Sequence, residues 1–172
     1  MLKKLSVLIF ITFCSACSFF RPSVLSAAQK GEWKKVSVLA EQNNDVNISD
    51  TGGMTPLMLV VERGNWDELN KTESRPENIF QALETFSALK QSPEYAALKA
   101  LLAAGADINA TDIRGRTALI IAAQKENAVA VSALLKNNAD PSIRDMYDYT
   151  ALSYAENQEI IRLLVQAGER KN

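Results

Sequence analysis

The chain has two thiols, Cys14 and Cys17, and no histidine. Without an imidazole there is no Ser-His-Asp set, no Cys-His pair and no histidine-built metal site. Carboxylates are more numerous. Glu156 and Glu159 stand close together, but a pair on a polar helix is a solvated face unless geometry makes it an acid and a base. Asp45, Asp107 and Asp140 recur, as do Asp50, Asp112 and Asp145. Turn formation accounts for both sets, and neither forms a calcium loop. There is no P-loop and no G-x-G-x-x-G. Two kinds of chemistry remain: modification of a thiol, and contact through aromatic and guanidinium side chains. No catalytic residue is assigned, and no cofactor or metal is expected.

The thiols lie in a distinct leader. Lys3 and Lys4 precede the uncharged run "LSVLIFITF", residues 5–13. That is the length of a signal-peptide core and too short to cross a bilayer as a helix. Residues 1–16 therefore read as a signal peptide. Ser15-Ala16-Cys17 resembles the bacterial lipobox, with Cys14 where Leu is usual. The resemblance implies that Cys17 is the lipidation site and the first residue of the mature protein. Residues 17–21 would then be a tether. Ser18, where an Asp would signal retention in the inner membrane, implies an outer-membrane anchor facing the periplasm. A triacylated cysteine holds stably to a bilayer. Net charge is −1, from 19 basic and 20 acidic residues, with no basic stretch after Lys4. That balance argues against nucleic acid as a partner.

Positioning falls to a repeat. Thr150 lies 33 residues after Thr117, and Thr55 lies 62 before it, one period plus 29. Asp50, Asp112 and Asp145 each precede such a Thr by five residues, and Leu39, Leu101 and Leu134 by sixteen. A fixed period of this size marks a stacked solenoid. The threonines suit helix N-caps, and Pro56 suits a first helical position. The pairs Ala27-Ala28, Val60-Val61 and Ala122-Ala123 let first helices lie close together. Leu101-Leu102, Leu134-Leu135 and Leu163-Leu164 fill the core from second helices. Gly105 and Asn138 suit helix ends, and Gly52-Gly53 and Gly115 suit hairpin turns.

Helix, helix and hairpin in 33 residues resembles the ankyrin repeat. "GADINATDIRGRTALIIAA" is close to that family's G-A-D-x-N-x-x-D followed by T-P-L-H-x-A-A. The family His is replaced by Met58, Ile120 and Ser153. The resemblance implies an all-α solenoid over residues 22–172. Its four repeats would span about 22–54, 55–116, 117–149 and 150–172. The last is expected to be three residues short through its inter-helix loop. An insertion over about residues 65–93 falls between the helices of the second repeat. Within it Ile79, Phe80, Leu83, Phe86 and Leu89 recur at helical spacing, after Pro76 and Glu77. That stripe either packs on the stack or stays exposed to bind something.

In the ankyrin fold the hairpin tips and the exposed face of each first helix line a groove. The resemblance puts Thr51, Met54, Arg114, Arg116, Tyr147 and Tyr149 at tips. It puts Leu59, Ile121 and Tyr154 on the helix face, with Ser26 in the first repeat. The expected protein-binding residues are Tyr147, Tyr149, Tyr154, Arg114, Arg116, Ile121 and Leu59. The expected function is an envelope-anchored, monomeric, non-enzymatic module that binds another envelope protein. One form is an immunity protein against a toxic effector delivered to the periplasm. The alternative is a scaffold or assembly factor for an endogenous envelope protein, and a hydrolase using the insertion is a remote third.

Overall fold

The computed structural model describes residues 23–42, 44–67 and 92–169. The leader, Cys17 and the Ile79 to Leu89 stripe lie outside the described residues. Helices α1 (Val24–Gln29), α2 (Trp33–Glu41), α3 (Pro56–Arg63) and α4 (Pro93–Ala103) make the first two pairs. Helices α5 (Ala118–Gln124), α6 (Ala128–Lys136), α7 (Ala151–Tyr154) and α8 (Gln158–Glu169) make the other two. Among the described residues there is no β-strand.

Each start has a local cause. Thr55 Oγ1 accepts the Met58 N–H at 3.4 Å, and Thr117 Oγ1 accepts that of Ile120 at 3.2 Å. These bonds satisfy donors that the first turn of a helix leaves free. Ser23, Ser92 and Asn127 do the same for α1, α4 and α6. Thr150 caps α7 more loosely, its own N–H reaching Ser153 Oγ at 3.3 Å. Pro56 and Pro93 stand in the first turn, where a missing N–H costs nothing. Gly105 and Asn138 close α4 and α6 with positive φ.

Helices α1, α3, α5 and α7 stack in one layer. Behind them α2 packs on α4, and α6 on α8. The small pairs Ala27-Ala28, Val60-Val61 and Ala122-Ala123 are all buried, which sets the close spacing of the first layer. Of the three Leu pairs one member each is buried: Leu101, Leu134 and Leu164. Leu102, Leu135 and Leu163 are half-buried against the core. Each fully buried Leu contributes roughly 1.5–3 kcal/mol of hydrophobic stabilisation.

Two boundaries differ from the sequence expectation. Trp66, placed in the insertion by the repeat count, is 5 % exposed and belongs to the core. Trp66 therefore packs with the stack, and Pro93, the last residue of the expected insertion, already opens α4. The last repeat is short in its first helix rather than in the loop. Helix α7 has 4 residues where α5 has 7, and both inter-helix loops have 3. Glu126 anchors this shortened unit: its carboxylate accepts the Glu156 and Asn157 N–H groups at 2.9 and 2.8 Å.

Candidate protein-binding surface

The turns before α3, α5 and α7 are copies of one device. Asp50 Oδ1 accepts the N–H groups of Gly52 and Met54. Asp112 Oδ1 accepts those of Arg114 and Arg116, and Asp145 Oδ1 those of Tyr147 and Tyr149. An aspartate does this because its short carboxylate reaches donors two and four residues on. The turns also bond to one another. Ile113 donates its N–H to Gly52 O at 3.0 Å, and Met146 donates to Arg114 O at 2.8 Å. The tips are thus stiff, and the side chains between these anchors are displayed rather than packed.

Tyr147 and Tyr149 are 62 % and 52 % exposed, and Arg114 is exposed beside them. The turns bring these three to one edge of the stack. Sequence reasoning missed Ile113 and Met146 on the same edge, at 75 % and 63 % exposure, and Leu152 at 42 %. Their signal was present: each of the first two directly follows a turn aspartate, where the first repeat carries exposed Thr51. An apolar residue at a position that the turn always displays is a surface feature.

The remaining candidates divide. Leu59 and Ile121 do not face a partner: they are 0 % and 1 % exposed. Helix α3 is flanked by α1 and α5, and α5 by α3 and α7, so no open row remains on those helices. Arg116 is a strut. Its Nε and one terminal nitrogen hold Asp112 Oδ2 at 2.9 and 2.8 Å, and the other reaches Gln124 Oε1 at 3.1 Å.

Tyr154 is half-buried and donates its hydroxyl to Asp145 Oδ2 at 2.5 Å. Tyr149 meets it edge-on, with ring centroids 5.6 Å apart at 86°. Burial pushes the Asp145 carboxyl up, but the bonds from Tyr154, Tyr149 and Tyr147 and the Arg116 charge outweigh it. The net result is a carboxyl held below its ordinary range. The same bond to Asp145 is the main cause that raises the Tyr154 hydroxyl, with burial second. A depressed carboxylate contributes stability that is present above its unfolded value, near pH 4, and is lost as pH falls through the folded value. Tyr154→Phe should therefore lower the stability at neutral pH, because Asp145 loses a bond to its ionised form. The difference from wild type should shrink below about pH 4. Melting curves between neutral and strongly acid pH test this; a difference independent of pH would show that the hydroxyl does not act through ionised Asp145.

Among the described residues no three Cys, Asp or Glu side chains gather as metal ligands. Nor is any of their helices long and apolar enough to cross a membrane. The arrangement supplies apolar contact area, aromatic rings and the exposed Arg114 guanidinium on a rigid edge.

Comparison with known proteins agrees with this architecture. The chain is similar to a protein of Dirofilaria immitis named L-asparaginase, 25 % identical over 193 residues, covering 90 % of this chain and 33 % of that protein. A putative ankyrin repeat-containing protein of Treponema pallidum (strain Nichols) is 24 % identical over 142 residues, covering 80 % and 48 %. Human B-cell lymphoma 3 protein is 30 % identical over 136 residues, covering 70 % and 30 %. The chain thus spans less than half the length of these relatives. The crystal structure of the ankyrin repeat domain of Bcl-3 superposes with a TM-score of 0.58 at 22 % identity, over 83 % of this chain and 50 % of that one. Residues 86–172, half of the chain, match the family Ankyrin repeats (3 copies), so this four-layered stack of helix pairs belongs to the ankyrin-repeat family.

Proposed function

We propose that the chain is a non-enzymatic binding module of the bacterial cell envelope, held by lipid at Cys17 and docking another protein on its turn edge. Ankyrin repeats are protein-interaction modules, and the relative named L-asparaginase is matched over only 33 % of its length. The observation that carries the reading is the displayed set Ile113, Arg114, Met146, Tyr147 and Tyr149. Four of these are large and apolar or aromatic, on turns whose backbone is already fixed. Such side chains give much contact energy for little ordering cost. An immunity protein against a periplasm-targeted toxic effector is the form this takes where the partner is hostile.

The test begins with capture of the partner from envelope extract by the full chain. Tyr147→Ala should then weaken binding by about 2 kcal/mol or more, a hot-spot effect. Its stability should stay within about 0.5 kcal/mol of wild type, as for an exposed site. In the immunity form, the same variant leaves cells sensitive to the effector. Cys17→Ser, in the same strains, should abolish lipid labelling and release the protein from membranes. If single Ala changes at all five residues leave the affinity intact, the interface is not this edge. A lipid found on another residue would remove the anchor at Cys17.

A further inference from the structure

Three methionines lie among the described residues, in contrasting surroundings. Met58 is 1 % exposed in α3, and Met54 is half-buried against the core. Met146 is 63 % exposed, on the last turn of the displayed edge among the described residues. Exposure governs how fast a thioether meets an oxidant in water. Adding oxygen to the sulfur turns a flexible apolar side chain into a polar, chiral one. We propose that Met146 is a reversible oxidation site for peroxide-class oxidants, and that its sulfoxide switches the turn edge from apolar to polar. This rests on that edge being the protein-binding face.

The step balances without help from the protein. A sulfur lone pair attacks one peroxide oxygen, the O–O bond breaks, and an S–O bond forms. Sulfur loses two electrons, and the second oxygen departs with both protons as water. A methionine sulfoxide reductase returns the thioether: two thiols supply two electrons and two protons and become a disulfide, and the sulfoxide oxygen leaves as water.

The structure makes this a change of surface rather than of fold. Met146 is tied by its backbone, through its N–H to Arg114 O at 2.8 Å. On either side Asp145 holds its own turn through the N–H groups of Tyr147 and Tyr149. None of these bonds involves the thioether, so the turn keeps its shape when the sulfur becomes polar. Tyr147 and Ile113 keep their exposure, but the patch between them gains a strong acceptor. Oxygen on Met58 would instead enter a packed core and unfold the repeat.

The experiment treats the full-length protein in detergent micelles with hydrogen peroxide and follows each methionine by peptide mass spectrometry. Sulfoxide should appear at Met146 about tenfold or more faster than at Met58, as their exposure dictates. The melting midpoint should hold while only Met146 is oxidised. Affinity for the envelope protein captured by the wild-type chain should fall about tenfold and recover with the reductase. Met146→Leu, apolar and without the sulfur, should keep its affinity through the same treatment. Equal oxidation rates at Met146 and Met58, or an affinity unchanged by Met146 sulfoxide, overturns the proposal. So does a peroxide-induced loss of binding that Met146→Leu shares. Tyr147→Ala measured in parallel separates the two claims. If it weakens binding while Met146 sulfoxide does not, only the switch fails; if neither matters, the binding face itself is wrong.

Discussion

Trp66→Ala should destabilise the protein by about 3–5 kcal/mol, the range for emptying a buried indole site. Trp66 is 5 % exposed, and its Nε1 donates to Val60 O at 3.2 Å. That carbonyl also accepts the Gly64 N–H at 3.0 Å, so the indole closes the end of α3. The fit is tight: a Cβ built on Gly64 would lie 2.5 Å from Trp66 Nε1. Trp66→Phe should lose less, because a ring still fills most of the space and Val60 O keeps its bond from Gly64. Urea unfolding with an unchanged m-value measures both. A cost for Trp66→Ala below about 1 kcal/mol would mean that the indole is not seated in the core, since only exposed sites are that tolerant.

This tryptophan also shows what a repeat count can and cannot locate. Twenty-nine extra residues between Thr55 and Thr117 establish that a segment is inserted. They do not establish where the chain leaves the stack, because any start that gives the same total satisfies the period. Packing decides it, and an indole three residues past α3 with a carbonyl in reach packs. The three missing residues of the last repeat posed the same problem, and there the helix gave way instead of the loop. Caps were legible because each depends on one residue and its immediate neighbours: Thr55, Thr117 and Asn138 act where their types suggest. The binding edge was half legible. Tyr147 and Tyr149 stand out by type, whereas Ile113 and Met146 are surface residues only once the turn aspartates have fixed the backbone. Leu59 and Ile121 failed for a physical reason. Their helix position is open in a loosely spaced stack, but the alanine and valine pairs beside them draw the helices together until it is covered.

Gly115→Val should cost about 2–4 kcal/mol, combining backbone strain with a steric collision. Gly115 has φ 74°, a conformation that a β-branched residue adopts only under strain. An added Cβ would also sit 3.2 Å from Asp145 Cα and from Met146 N, backbone of the next turn in the ladder. Gly53 stands in the same relation to Asp112 and Ile113, at 3.0 Å. The matching position one period on is Asp148, with φ 65°. Among the described residues no further turn stacks on it, so a side chain there meets no backbone. Asp148 gains only an exposed pairing with Arg144 at 3.1 Å, with the two side chains 82 % and 58 % exposed. An ion pair in that setting contributes about 0–1 kcal/mol. Asp148→Gly should therefore change stability by no more than about 1 kcal/mol in either direction, the relief of a positive φ offsetting that pair and the added freedom of the unfolded chain. Asp148→Val is the matched control, since it puts the same β-branched strain at the same site of the repeat, where no backbone is stacked on it among the described residues. Equal costs for Gly115→Val and Asp148→Val, measured by thermal unfolding at one pH, would show that the turns do not bear on one another. A large cost confined to Gly115 places the energetic weight of this edge on the stacking of one turn against the next, and it is that stacking which holds Met146 and Tyr147 out in solvent.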